Sequence, residues 1–134
     1  MKRTAVCSCG QLQIEVDGEP ESVGICHCFE CQRRTGSVFA TLAAFRAPYR
    51  INGTSKAHRR TGDEGAIFTF HFCPECGTNL FHTEIGCEDK SVGVAVGCFA
   101  DPDFPPPTDS VYDSRRHKWV QIRDGIRRHA KDPD

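Results

Sequence analysis

The chain has 134 residues, 38% of them apolar, and a formal net charge of −1 at neutral pH. That suits one domain with a modest core and points to no polyanionic partner. No run approaches the roughly 18 apolar residues that a membrane span needs, and the opening Met1-Lys2-Arg3-Thr4-Ala5-Val6 lacks the apolar centre of a secretion signal. The expected compartment is therefore the cytoplasm, where disulfides are rare and clustered cysteines more often bind metal.

The predicted elements are short and extended. Leu12, Ile14 and Val16 alternate with Gln13 and Glu15, the period of a half-buried strand, and Asp17-Gly18 ends it with turn chemistry. Val23-Gly24-Ile25 leads into Cys26, and Arg33-Arg34-Thr35-Gly36 reads as a polar turn or a single helical turn. Residues 38–45 are apolar except for Thr41, and their β-branched and aromatic content and the Pro48 boundary favour a strand. Tyr49-Arg50-Ile51, an Asn52-Gly53 turn and polar residues to Arg60 predict a hairpin, followed by a loop over residues 61–65. Residues 66–72 are the clearest strand; they run into Cys73-Pro74-Glu75-Cys76-Gly77, and Leu80-Phe81-His82 resumes the extended chain.

Residues 92–96 are another strand, and residues 101–110, with four of the eight prolines, form a loop. Val111-Tyr112 and residues 118–122 are the last predicted strands. No window of helical length has a 3.6-residue apolar period, so the fold class is mainly β. From Val111 onward seven Lys or Arg face four Asp. We read this basic segment as a solvated tail and strand face in preference to a nucleic-acid patch.

Seven of nine cysteines fall into clusters: Cys7 and Cys9; Cys26, Cys28 and Cys31; Cys73 and Cys76. An odd total and two- or three-residue spacings disfavour a disulfide framework, while tight turns can aim several thiolates at one point. In a CPxCG turn the proline fixes φ, the glycine supplies a left-handed position, and backbone N–H groups can face the sulfurs. Soft thiolates select zinc or iron–sulfur clusters, and seven ligands divide as four plus three more naturally for zinc. The two cysteine pairs complete one another as a structural site. Cys26, Cys28 and Cys31 then leave a fourth position, open as in catalytic zinc sites or closed by Cys87, Cys98, His27, His71 or His82.

Cys7-Ser8-Cys9-Gly10, the run Cys26-His27-Cys28-Phe29-Glu30-Cys31-Gln32-Arg33-Arg34-Thr35-Gly36-Ser37, and Phe72-Cys73-Pro74-Glu75-Cys76-Gly77-Thr78 resemble, in order and spacing, the glutathione-dependent formaldehyde-activating enzyme family. That family includes centromere-protein-V-like members. Gly97-Cys98-Phe99-Ala100-Asp101 and Val111-Tyr112 with Trp119 are weaker echoes. The resemblance covers residues 5–122 of a single domain spanning residues 1–134, with residues 123–134 as the basic tail. It implies small antiparallel sheets built around a zinc knuckle, and two zinc ions. Cys7, Cys9, Cys73 and Cys76 would hold the structural zinc. Cys26, Cys28 and Cys31 would hold a catalytic-type zinc whose fourth position takes water or a substrate thiol. The implied activity is that of a carbon–sulfur lyase acting on a thiol–aldehyde adduct, with glutathione and formaldehyde giving S-hydroxymethylglutathione. Arg33 and Arg34 are candidates for the carboxylates of glutathione, and His27 for a proton carrier or a packing residue. The rival expectation is a zinc-stabilised binding module without catalysis, touching nucleic acid through Arg115, Arg116, Arg127 and Arg128.

Overall fold

The computed structural model describes residues 1–132. Eleven strands, one short α-helix and two 3-10 turns (Val96–Phe99 and Asp113–Arg115) are found among them: β1 (Lys2–Val6), β2 (Gln13–Asp17), β3 (Ser22–Cys26), α1 (Phe29–Thr35), β4 (Ala40–Arg46), β5 (Arg50–Asn52), β6 (Lys56–Thr61), β7 (Ile67–Phe72), β8 (Asn79–Glu84), β9 (Ser91–Ala95), β10 (Asp109–Val111) and β11 (Arg127–Arg128). They build a three-stranded sheet, β1-β2-β5, and an eight-stranded sheet, β11-β10-β3-β4-β9-β8-β7-β6. Pairing is antiparallel throughout except around β10, which runs parallel to both β3 and β11. The mainly β class is as expected. No helix among the described residues is long and apolar enough to cross a membrane.

The large sheet has two working faces, and its two-residue period assigns each side chain to one of them. Val23 and Ala43 are register partners, as are Phe81 and Val94, and they join Phe45 and Val92 in the main core. Opposite them, Ala5, Leu12, Ile14 and Val16 of the small sheet and its flanks close that core. The alternate residues, Cys26, Leu42, Phe70 and His82, therefore point to the other face. Phe70 and His82 are themselves register partners, with ring centroids 5.3 Å apart. His82 in turn pairs with Gly93 of β9, where a Cβ would overlap its imidazole ring.

Three sequence expectations need correction. Residues 49–60 are not a hairpin: β5 joins β2 in the small sheet, whereas β6 pairs with β7 in the large one. The turn between them is held from outside, since Gln11 donates from Nε2 to the Thr54 carbonyl at 2.7 Å and accepts the Thr54 N–H at 3.0 Å. Gly53, at φ 94°, lies so close to the Gln11 carbonyl that a side chain there would collide with it. Residues 118–122 form no strand; Val120 N–H closes a turn on the His117 carbonyl at 3.0 Å, and Trp119 stands 71% exposed. The segment read as a solvated tail instead contributes β11, whose Arg127 forks onto Asp109 at 3.0 and 3.1 Å and whose Arg128 reaches Asp113 at 2.7 Å.

Candidate metal centre and pocket

Two knuckles of similar make hold the first cluster. Cys7 N–H donates to the Leu12 carbonyl and Gly10 N–H returns to the Cys7 carbonyl, both at 3.0 Å. In the second knuckle Cys73 N–H donates to Thr78 at 2.9 Å and Gly77 N–H to Cys73 at 2.8 Å. Gly77 takes φ 79°, the left-handed position expected of a CPxCG turn. Together they bring the Sγ atoms of Cys7, Cys9, Cys73 and Cys76 within 4.8 Å of one another.

Cys7 and Cys9 sulfurs are 3.6 Å apart, Cys9 and Cys73 sulfurs 3.7 Å. A tetrahedral ion with bonds of ~2.3 Å to sulfur needs edges of about 3.8 Å, whereas a disulfide would need ~2.05 Å. All nine cysteines are free. The donor set also suits thiolate. Leu12 N–H points at Cys7 Sγ at 3.3 Å and Gln11 Nε2 at Cys73 Sγ at 2.9 Å. Burial alone would raise the Cys73 thiol, but the Gln11 amide and the N–H groups of Cys76 and Glu75 hold it below its ordinary value. The Thr78 hydroxyl, then the N–H groups of Thr78 and Cys9, bring Cys76 down to about 5.

The second cluster grows out of the end of β3. Cys26 is its last residue, and Cys28 caps α1 by accepting the Cys31 N–H at 3.3 Å. Gly36, at φ 73°, ends the helix by donating to the Gln32 carbonyl at 2.8 Å. The helical turn expected at Arg33-Arg34 is thus the end of a helix that begins inside the cysteine run, and it folds Cys31 back onto Cys28 and Cys26. All three Sγ atoms lie within 4.8 Å of one another. Hydrogen bonds from Cys26 and Cys28, with help from the Arg34 charge, hold Cys31 well below the usual thiol range, and the same bonds push Cys26 up. The mutual bonds therefore favour one thiolate, at Cys31, next to the Arg34 charge.

None of the five candidate fourth ligands joins it. Between the ligands, His27 is fully buried and points away, with Nε2 3.0 Å from the Ser110 hydroxyl, which in turn donates to Asp113 at 2.8 Å. His71 bonds Ser55 at 3.0 Å and stacks on Phe81. Cys87 turns to Glu84, and Cys98 to the Asn79 carbonyl. His82 alone of the five shares a space with the cluster: a cavity of about 220 Å³ walled by the three cysteines, Leu42, Phe68 and Phe70 as well as by His82. Tyr112, which donates to Asp63 at 2.8 Å, closes its other side. Arg33 lies on the surface, paired with Glu30 at 3.1 Å, whereas Arg34 lies inward, Nη2 3.9 Å from Cys31 Sγ.

Sequence reasoning did not reach Phe70, Arg60 or Tyr112 as pocket residues. The only signal was the two-residue alternation Phe68, Phe70 on β7, which is equally that of an ordinary core face. His82 was named only as a possible ligand. Its imidazole keeps Nδ1 buried without a partner. Burial first, then the positive charges of Arg34 and Arg60, lower it to about 4, so it is neutral at pH 7.

A mainly β domain carrying one four-cysteine and one three-cysteine cluster, the latter facing a cavity, is the class of protein defined so far. The chain belongs to the glutathione-dependent formaldehyde-activating enzyme family, whose model matches residues 2–115. A crystal structure of a Rhodobacter sphaeroides protein, determined as a structural-genomics target, has the same fold: TM-score 0.55 at 21% identity, covering 94% of this chain and 98% of that one. A search of curated proteins gave no match.

Proposed function

We propose that this protein joins a thiol to an aldehyde, or splits their adduct, at Cys26, Cys28 and Cys31. Glutathione and formaldehyde are the pair that the family's description suggests. The observation that carries the reading is the contrast in ligand number: three thiols converge with no fourth protein ligand among the described residues, and they wall a cavity. Both clusters fit zinc by donor type and spacing. In this reading Cys7, Cys9, Cys73 and Cys76 hold a structural ion that staples β1 and β2 to the β7–β8 turn. A zinc ion at Cys26, Cys28 and Cys31 would supply an open coordination position and lower the pKa of a thiol that enters it.

The chain's own residues account for the remaining work. Leu42, Phe68 and Phe70 give the cavity an apolar wall, and Glu30, Arg60, Asp63 and Arg115 give it a charged one. In the addition the sulfur forms a bond to the carbonyl carbon, the π pair moves to oxygen, and the thiol proton ends on that oxygen. No oxidant is involved. His82, neutral and with hydrogen-bonding capacity unused, is assigned the carriage of that proton. We prefer this to the rival nucleic-acid reading because Arg116, Arg127 and Arg128 are paired with Asp113 or Asp109, and Arg115 lies over Phe29 and Tyr112.

The test is exchange NMR on glutathione and formaldehyde with zinc-loaded protein. Acceleration of hemithioacetal exchange over the spontaneous rate is expected. An unchanged rate at confirmed zinc content would remove this substrate pair.

A further inference from the structure

We propose that Arg34 and Arg60 form an anion subsite beside the three-cysteine cluster, and that it takes a carboxylate carried by the thiol substrate. The inference rests on the thiol–aldehyde reading above and narrows it to acidic thiols. Both guanidinium groups lie over the ring of Phe70, at 4.3 and 4.9 Å from its centroid, so two positive charges share one aromatic platform. Like charges gathered in this way repel unless an anion sits between or beside them.

Arg34 has the Cys31 sulfur on one side, but no resident carboxylate pairs with either guanidinium among the described residues. Arg3, Arg33, Arg46, Arg116, Arg127 and Arg128 each have a carboxylate within ion-pair distance; Arg34 and Arg60, like Arg50, Arg59, Arg115 and Arg123, have none, and they alone of these share one ring. Glu30, the acidic residue nearest in sequence to Arg34, is already held by Arg33 at 3.1 Å. Arg34 Nε is buried with no acceptor, an uncommon state for a group that normally keeps its hydrogen bonds filled. The field of the pair is felt inside the pocket, since Arg34 and Arg60 follow burial as the causes that lower His82.

Position decides the class of ligand. A second hollow of about 240 Å³, lined by Glu30, Arg33, Arg34, His58, Arg60 and Phe70, meets the cysteine cavity at Glu30, Arg60 and Phe70. Arg34 reaches within 3.9 Å of Cys31 Sγ, so the anion subsite begins where the sulfur subsite ends. A flexible molecule with its thiol at the cysteines and a carboxylate several bonds away would span both. Guanidinium forks bind a carboxylate in two parallel hydrogen bonds, which suits a pair with unused donors.

The test is calorimetric binding to the zinc-loaded full chain of S-methylglutathione, which has no free thiol, and of its dimethyl ester. Arg60→Gln is the main variant because β6 is an edge strand and Arg60 touches no cysteine; Arg34→Gln is the second. The expected result is at least about tenfold weaker binding of S-methylglutathione by either variant. The diester should bind the wild type more weakly and should not respond to Arg60→Gln. Arg60→Lys, which keeps the charge and loses the fork, should fall between. Equal binding of diacid and diester, or no binding of S-methylglutathione, would overturn the subsite while leaving thiol–aldehyde exchange to be judged by NMR. Arginine-dependent binding in a protein that accelerates no thiol–aldehyde exchange would support the subsite and remove the reaction.

Discussion

The two cysteine clusters are built from the same atoms but differ in number and in surroundings. In the four-cysteine cluster Cys9 and Cys76 are exposed, yet the ligand set is complete, and Gln11, Leu12 and Thr78 aim donors at its sulfurs. The three-cysteine cluster is the more buried, with Cys28 and Cys31 inside, yet it is open in the chemical sense because its free side meets a cavity. Exposure of the ligands therefore says little about use. In the proposed reading, the number of thiols and what the sulfurs face are what separate a staple from a reaction site.

The largest expected effect comes from breaking the staple. Cys73→Ser should leave the chain largely unfolded by circular dichroism, because structural zinc contributes on the order of 10 kcal/mol, comparable with the whole stability of a small domain. Cys31→Ser should instead keep the β fold, lower the zinc content by one ion per chain and return thiol–aldehyde exchange to its background rate. If both variants unfolded alike, the functional division between the clusters would fail.

A subtler change sharpens the pocket side. Gly93→Ala would drive a methyl group into the His82 ring, leaving both clusters untouched. A rate loss of roughly 10²-fold is expected, the range for misplacing a general acid–base group, with zinc content unchanged. Ser110→Ala is the mildest test. It removes the link between His27 behind the three-cysteine turn and Asp113, and should cost about 1 kcal/mol in denaturant unfolding.

Acid probes the same C-terminal support. Burial would raise the Asp113 carboxyl, but Arg128, Ser110 and Arg116 hold it below the usual range, and Asp109 is held down by Thr108, His129 and Arg127. A carboxylate depressed in the folded state stabilises fully above its unfolded pKa, about 4, and loses that contribution as pH falls through the folded value. Amides of β10 and β11 should accordingly lose hydrogen-exchange protection at acid pH before those of the small sheet.

Cysteine spacing made the grouping of the two clusters legible, because a tight turn constrains its own sulfurs. Strands with alternation or a β-branched and aromatic run were legible too: β2, β4, β7 and β9 all lie within two residues of their sequence positions. β6 was expected as an extended segment, but its composition, Lys-Ala-His-Arg-Arg-Thr, gave no apolar face from which to read its partner, as befits an edge strand. Asn52-Gly53 carried a correct turn signal, but the partner of the next strand was set by Gln11, forty residues earlier. The pocket was hidden for a related reason. Phe70, Arg60, His82 and Tyr112 meet across β6, β7, β8 and the chain after β10, and no local pattern marks that meeting.

The central claim is that the three-cysteine cluster binds a metal ion with one position free for a thiol. Replacing zinc by cobalt makes this visible, because the absorption of tetrahedral cobalt changes with its ligands. Titrating the cobalt protein with glutathione should alter the spectrum of one of two ions per chain, and the alteration should vanish in Cys31→Ser. A two-cobalt spectrum that stays the same at saturating glutathione would contradict the account.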